Sequence, residues 1–343
     1  MRETPKDFPT RAEFYKFCLQ RITAMAEANG NTTASLEALL AAINQSPLLV
    51  TDIFDQSVQI ARNTLGQERE TSSSLVLYVD TAMRALAASD DPDLLLPSVW
   101  TPQLAKDYLK KNGGEISILA GENTLGRNVP HRASWMLYLL QQSGNLAPNL
   151  DFIELGSSAG FILDALKEPE KYAQWLRSTQ QVQLNLDVDK TAATVGYDLV
   201  PPPDTNWALA SLGDDEVIMG VQEFMHAFPV RTPAIKGNIL SEDIWSQIYT
   251  RAHESTYNGL RPVFITSEML YQLSTEDRAT LLGRVKSVLE ETNGLFLRSD
   301  GGQYMGFPNL DMYTVGELRD QNFNLTAPQL VLQDKYRTCW KSL

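Results

Sequence analysis

Residues 151–166 read Asp-Phe-Ile-Glu-Leu-Gly-Ser-Ser-Ala-Gly-Phe-Ile-Leu-Asp-Ala-Leu. An apolar run (Phe152, Ile153, Leu155) meets five small residues, Gly156 to Gly160, and a second apolar run follows at helical spacing (Phe161, Ile162, Ala165, Leu166). That order predicts a strand, a tight turn and a helix. Gly156 can take backbone angles closed to other residues, and Ser157, Ser158 and Ala159 are small enough to let a ligand approach the main chain. Gly160 allows the helix to pack close to the strand. With Glu154 as a fixed acceptor at the strand end, the unit is expected to be a ligand-binding corner.

Downstream, residues 181–187 alternate polar and apolar as an exposed strand does, and 193–200 form another strand that carries Asp198 near its end, before Pro201-Pro202-Pro203. Strands over 233–240, 262–269 and 294–299 then alternate with helices over 215–228, 241–254 and 275–291. Segments 329–334 and 336–343 are close enough to pair antiparallel. The expected class is α/β: a Rossmann-like, doubly wound, mostly parallel seven-stranded sheet with an antiparallel C-terminal strand. In such sheets ligands sit beyond the carboxyl ends of strands where strand order reverses. Glu154 to Gly160, Asp198, Asn238, Ile239, Ser267, Glu268, Ser299 and Asp300 would therefore meet on one edge.

Upstream the chain reads as helical. Thr10 and Glu13 have capping-box spacing, Phe14, Phe17, Cys18, Ile22 and Met25 share a face, and Asn29-Gly30 ends the helix. Further helices fit 35–44, 49–65, 72–88 and 102–111. Residues 1–118 are expected to form a cap or dimerisation domain, which makes a homodimer one expectation, and 119–343 the sheet domain. Between helix and corner, 121–131 is polar and reads as a loop, with a helix over 133–142 after it. There Arg127, beside Asn123, can clamp a carboxylate through paired N–H bonds.

The formal charge of −13 without a basic run disfavours nucleic acid as partner and leaves a small molecule as the expected substrate. No apolar stretch approaches the roughly 20 residues that span a bilayer, and the N-terminus lacks a signal core, so a cytoplasmic protein without membrane contact is expected. Cys18 and Cys339 lie near opposite ends, and three histidines show no zinc-ligand spacing. Neither a metal nor a disulfide framework is expected.

Three chemistries compete for the corner. A dinucleotide fingerprint needs glycine where Ser158 and Phe161 stand. Gly156-Ser-Ser-Ala-Gly160 matches a nucleophile elbow with Ser158 as nucleophile, but the histidine of that fold follows its last strand, and the only later histidines, His226 and His253, precede the strands after residue 260. The third is a cofactor site. Phe-Ile-Glu-Leu-Gly-Ser-Ser-Ala-Gly resembles the first motif of class I S-adenosylmethionine (SAM) dependent methyltransferases. More closely, the chain resembles an uncharacterised bacterial methyltransferase-like family whose corner reads Glu-x-Gly-Ala-Ser-Ala-Gly. Asn123, Gly126 and Arg127 match its upstream Asn-x-x-Gly-Arg, and Gly196, Asp198 and Pro201 its downstream Gly-x-Asp-x-x-Pro.

The resemblance implies SAM as cofactor. The N–H groups after Gly156 would hold the methionine carboxylate, and Glu154 would accept from the ammonium directly or through water. Asp198, with Asp187 as rival, would accept from the ribose hydroxyls, and Asn238 and Ile239 would flank adenine. A hydroxyl or ammonium acceptor needs a base, for which Glu268, Tyr271 and His226 are candidates. Trp207, Trp135 and Tyr197 can line an acceptor pocket or fill core. Methyl transfer, intramolecular cyclisation or elimination from the bound sulfonium, and a non-catalytic binding role are all open at this level.

Overall fold

The computed structural model describes residues 4–28, 30–67, 75–126, 129–180, 184, 186–232, 234–267, 269–270, 273–301 and 308–313. The chain divides into two compact units: Met1–Arg127 with Pro202–Gln222, and Asn128–Pro201 with Glu223–Lys341. In chain order the helices before the sheet are α1 (Arg11–Ala28), α2 (Ala34–Gln45), α3 (Pro47–Leu65), α4 (Leu75–Ala87), α5 (Pro102–Glu122) and α6 (Arg132–Gln142). Then come β1 (Leu150–Leu155), α7 (Phe161–Lys167), α8 (Pro169–Gln180), β2 (Ala193–Asp198), α9 (Thr205–Ala210), α10 (Asp215–Ala227) and β3 (Ala234–Lys236). The chain continues through α11 (Glu242–Tyr257), β4 (Arg261–Ser267), α12 (Thr275–Thr292), β5 (Leu295–Gly301) and β6 (Pro308–Tyr313).

The helical unit also takes in α9. Pro102 at the first turn and the Thr101 side chain, which accepts from Leu104 N at 3.2 Å, start α5. The helix expected over 102–111 continues to Glu122, with Asn112-Gly113-Gly114 inside it. A Cβ on Gly113 would stand 2.9 Å from Ile53 Cδ1, and one on Gly121 2.5 Å from Ile60 Cβ. The glycines are there for close approach to α3, where Ser117 Oγ also donates to Ile53 O at 3.3 Å. Arg84, 1% exposed, ties α4 to its surroundings. Its Nε and Nη2 donate to Asp80 at 2.9 and 2.8 Å, Nη1 to Leu95 O at 3.0 Å, and Nη2 also to Ala210 O at 2.5 Å.

The other unit is α/β. Its sheet order is β3-β2-β1-β4-β5-β6, with β3 to β5 parallel and β6 antiparallel to β5. β1 is buried along its whole length, as a central parallel strand between helical layers must be. Ile153, Leu155, Phe264 and Phe296 pack against Ile244, Trp245 and Ile248 of α11 and Leu281, Val285 and Leu289 of α12. At the start of β1, Asp151 takes a paired bond from Arg251 of α11, Nε and Nη2 each at 3.0 Å. Ordinary helix signals are in place: Ser274 accepts from Asp277 N at 3.0 Å, and Asn293, at φ 52°, ends α12.

Six strands rather than seven are seen among the described residues. The described part of the expected strand 181–187 is irregular; Leu184 and Val188 are buried as packing groups on a connection rather than in a ladder. β3 stops at Lys236, short of the expected residue 240, because Asn238 turns the chain: its Oδ1 accepts from Leu240 N at 2.9 Å. The antiparallel partner of β5 is β6, a segment to which the sequence reading assigned no strand. The pair expected over 329–334 and 336–343 lies outside the described residues. Among the described residues no helix is long and apolar enough to cross a membrane.

Candidate functional site

β1 lies between β2 and β4, so strand order reverses at its carboxyl end, and there the Gly156–Gly160 corner begins. Gly156, Ser158 and Gly160 have φ of 79°, 47° and 72°. A Cβ on Gly156 would stand 2.7 Å from Met269 Cγ, and one on Gly160 2.7 Å from Thr232 O. Both positions require glycine for conformation and for space.

The corner is knitted to the end of β2. Gly156 N and Ser157 N both donate to Tyr197 O, at 2.7 and 3.1 Å. Ser158 N donates to Asp198 Oδ2 at 2.7 Å, and Val200 N to Asp198 Oδ1 at 3.0 Å. Gly196 belongs to the same junction, since a Cβ there would stand 2.4 Å from Ser157 Oγ. Burial pushes the Asp198 carboxyl above its ordinary value, while the Ser158 and Val200 N–H groups pull it back. The Gly-x-Asp segment of β2 is thus the structural complement of the Glu-x-Gly-Ser-Ser-Ala-Gly corner.

This changes the expected carboxylate cradle. The N–H groups of Gly156, Ser157 and Ser158 are engaged by β2, and that of Gly160 by Ser157 O at 2.9 Å. The Ala159 N–H has no hydrogen-bond acceptor among the described residues, and the Ser158 Oγ, in a residue 8% exposed, is buried without a partner there. For a non-glycine residue the left-handed conformation costs about 1–2 kcal/mol, and a buried unsatisfied hydroxyl about 1–3 kcal/mol. The chain tolerates both at Ser158.

A second brace comes from the residues before β3. Arg231 pairs with Asp164 of α7 (Nε to Oδ2, 2.6 Å), donates to Ala159 O at 2.6 Å, and lies over the Phe161 ring at 4.2 Å. Thr232 N donates to the other Asp164 oxygen at 2.7 Å. The corner is therefore held from β2 on one side and from Arg231-Thr232 on the other.

Register places Glu154 beside Gly196 and Ile265. Asp198 and Ser267 lie two residues beyond these, so all three share a sheet face. Glu154 has no exposed surface and lies within the sheet face, just before the corner in the chain. Ser267 Oγ accepts from Arg132 Nη1 at 3.1 Å, and Arg132 is 6% exposed. Sequence reasoning passed over Arg132. Its signal was a cation in the first turn of a helix, where the macrodipole disfavours it and some other partner must hold it.

The remaining nominated residues fall in different places. Ile239 is buried in the core with Tyr197, and Asn238 is an exposed turn residue. Asp187 is exposed and lies off the sheet, leaving Asp198 as the acid at the end of β2. Asn123 and Trp207 act within the helical unit. Asn123 Nδ2 donates to Leu119 O at 2.9 Å, and Trp207 Nε1, on a residue 1% exposed, donates to Thr124 O at 2.9 Å. Arg127, Glu268 and Tyr271 lie outside the described residues, as does the Trp135 side chain.

The histidines do not supply a nucleophile's partner. His226 is exposed on α10 while its neighbours Phe224 and Phe228 stack at 4.5 Å. His253 pairs with Glu291 at 3.0 Å. His131 packs 5.4 Å from Trp175, and burial lowers its pKa to about 4. None of the three is hydrogen-bonded to Ser158. No protein family model matches the chain, and no curated protein sequence matches it.

Proposed function

We propose that the α/β unit is a Rossmann-like core that binds SAM at the Gly156–Gly160 corner, and that the chain is a SAM-dependent enzyme acting on a small molecule. Methyl transfer is the first reading; cyclisation or elimination within the cofactor uses the same binding residues. The observation that carries it is the junction at the reversal of strand order, where a glycine corner on β1 is bonded to an acidic residue ending β2. Each Asp198 oxygen accepts one main-chain N–H and keeps a second lone pair. Those two lone pairs suit a pair of ribose hydroxyls. Ser158 Oγ and Ala159 N–H are the donors left for the amino-acid end.

When bound, SAM supplies a methyl group on a positively charged sulfur that is already electrophilic. The chain's part is to hold an acceptor in line and to keep water out. The rigid corner, braced by Asp198 and Arg231, suits that task.

Calorimetric titration with SAM and S-adenosylhomocysteine tests the binding, with dissociation constants expected between about 1 μM and several hundred μM. Gly156→Arg, which drives a side chain into Met269 at a positive φ, should abolish it. Absence of heat and of any thermal shift with either ligand removes the proposal. Incubation with SAM and a metabolite extract, followed by mass spectrometry, separates enzyme from binding protein: S-adenosylhomocysteine or methylthioadenosine as product requires turnover.

A further inference from the structure

Asn29, Asn112, Asn258 and Asn293 each precede a glycine. With no side chain on the second residue of such a pair, the glycine nitrogen can reach the asparagine Cγ whenever the main chain between them is free to rotate. Asn29 lies outside the described residues, and the structure separates the other three. Asn112 stands inside α5, its Nδ2 is buried, and a Cβ on Gly113 would stand 2.9 Å from Ile53 Cδ1. Asn293 ends α12 at φ 52°, and its carbonyl accepts from Arg261 Nε at 2.9 Å. The Gly294 that follows is buried, with Leu289 Cδ2 and Pro262 O at 2.7 and 2.8 Å from its Cβ position. Rotating either pair means moving packed structure.

Asn258 differs. It caps the C-terminus of α11, both it and Gly259 are exposed, and nothing lies within 4 Å of a Cβ position on Gly259. What holds the pair is one terminal turn. Gly259 N donates to Thr256 O at 3.0 Å, Leu260 N to Ser255 O at 2.8 Å, and Asn149 Nδ2 to Gly259 O at 3.2 Å. Terminal turns fray at a cost far below that of global unfolding, and fraying releases the Gly259 N–H from Thr256.

We propose that Asn258 is a site of spontaneous covalent modification, where the opened turn closes to a cyclic imide that water converts to aspartate and isoaspartate. The Gly259 nitrogen, giving up its proton to hydroxide, attacks Asn258 Cγ. An N–Cγ bond forms, the Cγ–Nδ2 bond breaks, and the leaving nitrogen takes up a proton and departs as ammonia. Water then opens the imide at Cγ to give aspartate, or at the main-chain carbonyl to give isoaspartate, whose main chain runs through the side-chain carbons. Either product adds a carboxylate at the negative end of the α11 dipole. Isoaspartate also lengthens the connection to β4, which begins at Arg261. The damage falls at the amino ends of β1 and β4, where Asn149 meets Gly259, and the Gly156–Gly160 corner lies at the other end of β1.

The test incubates the full chain and Asn258→Gln in mildly acidic and mildly alkaline buffer. Peptide mass spectrometry with electron-transfer fragmentation, which tells aspartate from isoaspartate, then follows each Asn-Gly pair. Product should accumulate at Asn258 at least about tenfold faster than at Asn112 or Asn293, the ratio set by their unequal costs of local opening, and faster in alkali. Aged wild type should melt below fresh protein, and aged Asn258→Gln, whose longer side chain closes the imide far more slowly, should not. Equal rates at the three pairs overturn the proposal, as does absence of product at Asn258 in folded protein when urea-unfolded protein reacts there, since the reaction then needs global opening. An equal fall in melting temperature for aged Asn258→Gln overturns the assignment of the damage to this turn.

Discussion

At the residue scale two aspartates, half-buried Asp198 and buried Asp164, decide how firmly the corner is held. Asp198 does for Ser158 N what a bound anion would do. In Asp198→Asn the amide NH2 must face either Ser158 N–H or Val200 N–H, so two donors oppose each other. A loss of about 1–3 kcal/mol is expected in urea unfolding, and an unchanged midpoint would mean that the cap adds nothing. Asp164 answers to pH. Burial raises its carboxyl above the ordinary 3.8, and Arg231 acts in the opposite direction. A carboxyl raised in the folded state stabilises that state fully below 3.8, and the contribution is lost as pH rises through the folded value. Arg231→Met removes the cation and raises Asp164 further. Its deficit should therefore be small near pH 4 and reach about 2–4 kcal/mol by pH 7, allowing for the partial exposure of Arg231. Equal deficits at both pH values would show a packing effect alone. Asp198 was legible as an acid near a strand end. Its hold on Ser158 N was not, because that bond spans 40 positions in sequence and no local pattern encodes it.

Elements were legible where one periodicity dominates. Phe152, Ile153 and Leu155 before five small residues fix β1 and its turn, and Ser274 and Asn293-Gly294 bracket α12. They were misread where one residue type serves two physical ends. The helix was read only over 102–111, yet α5 passes on through Gly113-Gly114, and the facing residues of α3 leave no room for a Cβ at Gly113 or Gly121. Residues 181–187 alternate like a strand, but the described ones have no ladder partner; strand pairing is a property of the neighbour as much as of the segment. A pair of substitutions separates the two uses of glycine. Gly114 is exposed, with nothing within 4 Å of its Cβ position, so Gly114→Ala should stabilise by about 0.5–1 kcal/mol through helix propensity. Gly121→Ala makes the same gain but places a methyl 2.5 Å from Ile60 Cβ and 3.0 Å from Ser57 O. Neither atom moves without backbone, so overpacking wins and a net loss of about 1–2 kcal/mol is expected. Thermal unfolding of the two variants should shift in opposite directions; a common direction would refute the close-approach account of α5.

For the whole molecule the formal charge of −13 is the dominant long-range property. Its sign could be read from composition, whereas the residues it acts on could be identified only after register had put Glu154, Asp198 and Ser267 on one face and a hydrogen bond had brought Arg132 to Ser267. A field of this sign favours cationic ligands and repels polyphosphates. SAM carries one net positive charge at neutral pH, from its carboxylate, ammonium and sulfonium, whereas S-adenosylhomocysteine is a net-neutral zwitterion. If the corner binds both through the same hydrogen bonds, the difference between them is the sulfonium in the protein's negative potential. That difference is a long-range electrostatic one and is therefore screened by salt. Raising NaCl from about 20 mM to about 300 mM should therefore weaken SAM binding about two- to fivefold and leave S-adenosylhomocysteine nearly unchanged. Paired calorimetric titrations at the two salt concentrations measure this directly. A parallel response of the two ligands would assign the discrimination to contacts at the sulfur rather than to the charge of the chain.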